Sequence, residues 1–93
     1  MMLNERKIPI IKIRDYLIVS IQVDMHDRMA IQLQTQILEE ISRTRSRGVL
    51  IDISTLEMVD SFIGRVLSGM ASMAAIMDAK VVIVGMQPAV AIT

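Results

Sequence analysis

The segment from Val49 to Leu67, VLIDISTLEMVDSFIGRVL, constrains the fold most, because its hydrophobic period changes once inside it. Val49 to Ser54 is a short run rich in β-branched residues and reads as a buried strand. Thr55 to Val59 form a brief connection. From Asp60 and Ser61 onward the apolar residues fall at helical spacing. Ile63, Leu67, Met70, Ala74 and Met77 make one stripe, and Phe62, Val66 and Met73 widen it. An acid and a hydroxyl therefore stand at a helix N-terminus, where unpaired backbone N–H groups favour negative charge. Ser61 there is either an ordinary N-cap or the seat of a phosphate.

The rest of the chain supplies a sheet for that unit. Ile8 to Ile13 reads as a first strand, with Pro9 suited to an edge or a strand start. Arg14-Asp15 breaks it. Tyr16 to Val23 is a second strand, with Leu17, Val19, Ile21 and Val23 on one face and Ser20 and Gln22 on the other. So short a break favours an antiparallel hairpin. Asp24 to Asp27 then opens a helix with Asp27 as N-cap. Its apolar face is Ala30, Leu33, Ile37, Leu38 and Ile41, with Gln32, Gln36, Glu39 and Arg43 solvated and Gly48 as the stop. The helix after Ser61 runs to about Asp78, and Lys80 to Gly85 is a fourth strand.

The order β-β-α-β-α-β implies an α/β domain with a mixed four-stranded sheet. Right-handed crossovers leave both helices on one face, so the other face needs polar cover or a partner. Met86 to Thr93 looks like a loop entering another helix, with Pro88 at a favourable first position. The expectation is one domain over residues 1–93 whose last helix is incomplete, through a missing tail rather than a partner that completes the layer.

Composition limits the functions open to such a chain. Ten basic and ten acidic residues balance to a formal charge of zero, against a nucleic-acid partner. The one basic cluster, Arg43 to Arg47, sits at a helix C-terminus, where cations complement the macrodipole. Aromatic residues are only 2% of the chain, so platforms for stacking bases are lacking and the core must be aliphatic. The hydrophobic fraction of 53% in so small a chain points to assembly. There is no cysteine, which rules out disulfides and thiolate metal sites. The charge-free runs after Arg65 and Lys80 fall short of the roughly 18–20 residues that span a bilayer. No signal peptide is evident at the N-terminus. A cytoplasmic protein with no membrane partner is expected.

Catalytic signals are sparse. His26 is the only histidine, and a triad with Ser61 and a nearby Asp is conceivable on paper. VDSFIG, however, is not the G-x-S-x-G nucleophile elbow. His26 with Asp24 and Asp27 has no diagnostic metal spacing. Neither phosphate-binding glycine loop occurs, and Gly64 and Gly69 suit close packing or a partner's approach inside the helix. No cofactor, no metal and no catalytic residue are expected.

Asp52-Ile53-Ser54 through Val59-Asp60-Ser61-Phe62-Ile63-Gly64-Arg65-Val66-Leu67 resembles the signature of STAS domains, the anti-sigma-factor antagonist family. Lys7 to Ile10, Leu17 to Gln22, Ala79 to Val82 and Gly85 to Ala91 match in the same order. The likeness is strongest to its RsbS-type branch, the scaffolds of the bacterial stressosome. It implies a non-enzymatic switch, phosphorylated at Ser61 with Asp60, Phe62 and Gly64 supporting the site. The implied partners are an RsbT-type switch kinase, RsbR-type STAS paralogues, a PP2C-type phosphatase and further copies of the chain. R-type relatives carry a phosphorylatable threonine before the first helix. Asp27 occupies that region here, as a possible second regulatory loop. The alternatives are a simple anti-sigma factor antagonist that binds an anti-sigma factor when unphosphorylated and, more remotely, a small hydrolase using Ser61.

Overall fold

The computed structural model describes residues 8–22, 25–56 and 58–85. The elements are β1 (Ile10–Ile13), β2 (Tyr16–Ser20), α1 (Asp27–Thr44), β3 (Gly48–Asp52), α2 (Ser61–Ile76) and β4 (Lys80–Val84). They form one mixed sheet in the order β1-β2-β3-β4. The β1–β2 hairpin is antiparallel, and β2–β3 and β3–β4 are parallel, as expected of strands joined through helices. The helix expected over residues 86–93 lies outside the described residues, as does Val23.

Both helices cover one face of the sheet. Leu17, Val19 and Ile21 alternate into that face from β2 and its extension, and Val49 and Ile51 do so from β3. Leu33, Ile37 and Ile41 of α1 and Met70 and Ala74 of α2 close over them. The core is aliphatic throughout. Gln34 of α1 donates to the Val66 carbonyl at 3.4 Å and lies 3.6 Å from where a Cβ would stand on Gly69. That is ordinary van der Waals distance, so the close packing expected at Gly69 does not require a glycine there.

Several boundaries differ from those expected. The first strand begins at Ile10 rather than Ile8, because the Ile8 carbonyl is taken by the Gln36 side chain at 3.1 Å. Gln36 is accordingly half-buried rather than solvated. The N-cap of α1 is His26, whose Nδ1 accepts from the Met29 amide at 3.3 Å, and Asp27 is the first helical residue. Gly48 does not stop α1. The helix ends at Thr44, and Arg45 takes the left-handed conformation, its N–H donating to the Ile41 carbonyl at 2.7 Å. The Thr44 hydroxyl donates to the Glu40 carbonyl and pairs with the buried Ser46, so the exit needs no glycine.

The third strand stops at Asp52 rather than Ser54, because the Asp52 carboxylate accepts the Ser54 amide at 2.9 Å and turns the chain. Gly85, at φ +81°, ends β4 against that turn, and a Cβ there would stand 2.7 Å from Ser54. Only glycine fits.

Candidate functional site

The connection from β3 to α2 is fixed at both ends. Ile53 donates to the Val84 carbonyl at 2.9 Å, and Leu56 folds back on the Ile53 carbonyl at 3.0 Å with its side chain buried. Val59 packs against the core while Met58 stands 78% exposed beside it. Asp60 is then the N-cap of α2, its Oδ1 accepting from the Ile63 amide at 2.9 Å. Ile63 is buried and anchors the first turn, and Phe62 is half-buried.

Ser61 is consequently the first helical residue, exposed, and not the cap. Its hydroxyl makes no hydrogen bond among the described residues, and the amides of Ser61 and Phe62 keep no intrahelical acceptor. Gly64 donates to the Asp60 carbonyl at 2.9 Å, and nothing within 4 Å meets a Cβ placed on it. The fold therefore gives Gly64 no packing reason to lack a side chain.

Two residues beyond those assigned to the site from the sequence, Arg65 and Met58, lie beside it. Arg65 is exposed one turn after Ser61, on the same side of the helix, and has no ion pair among the described residues. The i,i+4 spacing was the available signal. The exposure of Met58 had no comparable signal, since alternation does not extend into a loop.

The residues proposed for catalysis are not joined. His26 spends its Nδ1 on the Met29 amide, and no hydrogen bond links it to Ser61 or to a described carboxylate. Asp24 lies outside the described residues. Among the described residues there is no group of three acidic or histidine side chains able to hold a metal. Within the basic cluster, Arg43 pairs with Glu40 at 2.6 Å and Arg45 forms the helix C-cap. Among the described residues no helix is long and apolar enough to cross a membrane.

The described residues thus form a two-layer α/β domain with an exposed serine hydroxyl at the start of its second helix. A STAS domain model matches residues 7–93, and the chain belongs to the STAS domain family. Among solved structures it is similar to a serine-to-glutamate variant of RsbS from Moorella thermoacetica, at 38% identity and a TM-score of 0.83. That likeness covers 94% of this chain and 74% of the other. It is also similar to a chain in a structure described as the molecular architecture of the stressosome, a signal integration and transduction hub. There the identity is 36% and the TM-score 0.70, over 90% of this chain and 73% of that one. Comparison with curated proteins returns no match.

Proposed function

We propose that this chain is a non-enzymatic scaffold subunit of a stressosome, switched by phosphorylation of Ser61. In this reading it assembles with RsbR-type paralogues and holds an RsbT-type kinase until the serine is modified, and a PP2C-type phosphatase resets it. The observation that carries the reading is the division of labour at the start of α2. Asp60 caps the helix, so the adjacent exposed hydroxyl of Ser61 has no structural task.

The chemistry fits the position. A kinase moves the terminal phosphoryl group of ATP onto the Ser61 oxygen, which loses its proton. The product carries about −1.5 to −2 charges at neutral pH. The free amides of the first turn and the helix dipole favour that charge. Asp60 opposes it, and Arg65 one turn on offsets the repulsion. The domain keeps its fold while the surface that includes Met58 and Gly64 gains negative charge, which releases a bound partner. The Moorella relative, solved as a serine-to-glutamate variant, and the stressosome relative support this assignment.

The test is incubation with an RsbT-type kinase and ATP, followed by peptide mapping. One phosphate on Ser61 is expected, with none on the Ser61→Ala variant. Labelling at Ser54 or Thr55 instead overturns the site. Mixing with an R-type partner should give very large particles. Small complexes with an anti-sigma factor alone would support the simple antagonist.

A further inference from the structure

The turn that leaves α1 and the turn that leaves α2 meet at one end of the domain, around a cleft of about 730 Å³. Arg45, Arg47 and Ser46 line it from the first turn and Asp78 from the second, while Ile41 and Met77 supply its apolar lining. The charges here have no structural task. The Ile41 carbonyl accepts the Arg45 amide, the Ala74 carbonyl accepts those of Met77 and Ala79, and the Ala75 carbonyl that of Asp78. Backbone donors thus serve both helix ends, and neither needs a cation to cap it. Within the basic cluster only Arg43 is paired, to Glu40. The side chains of Arg45, Arg47 and Asp78 make no hydrogen bond or ion pair among the described residues.

Arg45 at φ 55° and Asp78 at φ 63° both hold the left-handed conformation in which a helix exit usually carries glycine. A charged side chain is kept at each in spite of its steric cost. The backbone of Arg47 is pinned on both sides, its N–H donating to the Asp15 carbonyl at 2.7 Å and its carbonyl accepting the Lys80 amide at 3.0 Å. The hydroxyls of the first turn have a fixed order. Thr44 gives its proton to the Glu40 carbonyl, so the Ser46 hydroxyl must donate to the Thr44 oxygen. The Ser46 oxygen is left with lone pairs alone to offer. Cationic donors at Arg45 and Arg47 therefore face the same cleft as acceptors at Asp78 and Ser46.

We propose that this cleft binds a small phosphorylated polyol, of which a sugar phosphate is the simplest kind. The phosphate takes the guanidinium groups of Arg45 and Arg47, whose planar forks bond phosphate oxygens in pairs. Hydroxyls of the polyol donate to Asp78 and Ser46, and its carbon skeleton rests on Ile41 and Met77. Bare phosphate satisfies only the cations, and an uncharged sugar only the acceptors. The volume lies within the range of about 300–1,000 Å³ usual for small-molecule sites. The cleft stands where β3 begins and Ser61 follows where β3 ends, so binding here does not depend on the proposed phosphorylation.

The test is titration of the full chain with glucose 6-phosphate, followed through its amide resonances. Saturable shifts are expected at residues 45–48 and 77–80, with a dissociation constant of about 1 mM or tighter. Inorganic phosphate should shift the same residues with roughly tenfold weaker affinity, and glucose should shift none. Arg47→Gln should weaken both phosphate ligands roughly tenfold. Asp78→Asn should weaken glucose 6-phosphate and not inorganic phosphate, a split that a general basic patch would not give. Arg45→Gly guards against a loss of fold, because its backbone suits glycine: it should lose binding while keeping or raising the unfolding midpoint. The proposal fails if glucose 6-phosphate does not saturate by about 10 mM, or if its shifts centre elsewhere. It fails equally if Arg47→Gln binds as the native chain does, or if inorganic phosphate binds as tightly as the sugar phosphate.

Discussion

The carboxylate of Asp60 accepts the amide of Ile63 at 2.9 Å, and this one hydrogen bond makes Asp60, not Ser61, the cap of α2. An acid that caps the helix removes the capping duty from Ser61, whose hydroxyl projects from the first turn without an intramolecular partner among the described residues. Two adjacent polar residues, either of which could cap a helix, thus take separate roles.

Asp60→Ala should lower stability by about 1 kcal/mol, the usual cost of losing an N-cap. Ser61→Ala should change it by less than about 0.5 kcal/mol, as a surface substitution away from any bonded group. Ser61→Asp should stay within about 1 kcal/mol, because negative charge suits a helix start. Urea titrations of the three variants check the order. An alanine at Ser61 that cost as much as one at Asp60 would return the capping role to the serine.

Gly64 gives a test in which stability and function should move in opposite directions. It lies in the first turns of α2 with open space where a Cβ would stand. Gly64→Ala should therefore stabilise the helix, by about 0.8–1 kcal/mol if the site behaves as an exposed helix interior. If the kinase or a paralogue approaches the backbone there, the same variant should bind it several-fold less tightly. Thermal unfolding and titration of the partner measure the two effects separately. Unaltered binding would remove Gly64 from the contact surface.

The order of elements was legible because each period change in the sequence coincides with a change from strand to helix, as between Asp52 and Ser61. The helix-facing residues of β2 and β3 were legible for the same reason: burial follows alternation. What escaped were the places where a side chain replaces a backbone partner. Gln36 takes the Ile8 carbonyl and shortens β1. His26 caps α1 in place of Asp27, a role the ring nitrogen can fill but which composition alone assigns to the acid. Asp52 captures the Ser54 amide and ends β3 early. Such contacts depend on which atoms come within 3 Å or so, and a hydrophobic period carries no record of that. At the site itself the sequence indicated the helix start, and the cap belonged to Asp60, the neighbour of the serine proposed for modification.

The turn after β3 should make stability depend on acid. The Asp52 carboxyl titrates below its ordinary value because the Ser54 amide donates to its charged form. A depressed folded-state value stabilises the fold above the unfolded carboxylate range, and that contribution disappears as pH falls through the lowered value. Asp52→Ala should thus lie below the native chain in unfolding midpoint at neutral pH, and the gap should narrow as the pH falls below the ordinary carboxylate range. A gap independent of pH would assign the loss to packing.

Met58 and Arg65 flank Ser61 from the loop and from the next turn, and they should separate recognition from charge. Met58 is 78% exposed, with no core contact to lose, so Met58→Asp should leave the unfolding midpoint nearly unchanged. An apolar residue so exposed beside the proposed modification site offers a partner an area to cover, and its loss should weaken the proposed kinase binding by roughly tenfold. Arg65→Ala should instead leave binding of the unmodified chain largely intact and destabilise the phosphorylated form, because its guanidinium acts only once Ser61 carries charge. Comparing Ser61-phosphorylated and unmodified chains of each variant, by calorimetric unfolding and by kinase titration, isolates the two effects. If Arg65→Ala destabilised both forms equally, the guanidinium would be supporting the helix rather than the phosphate.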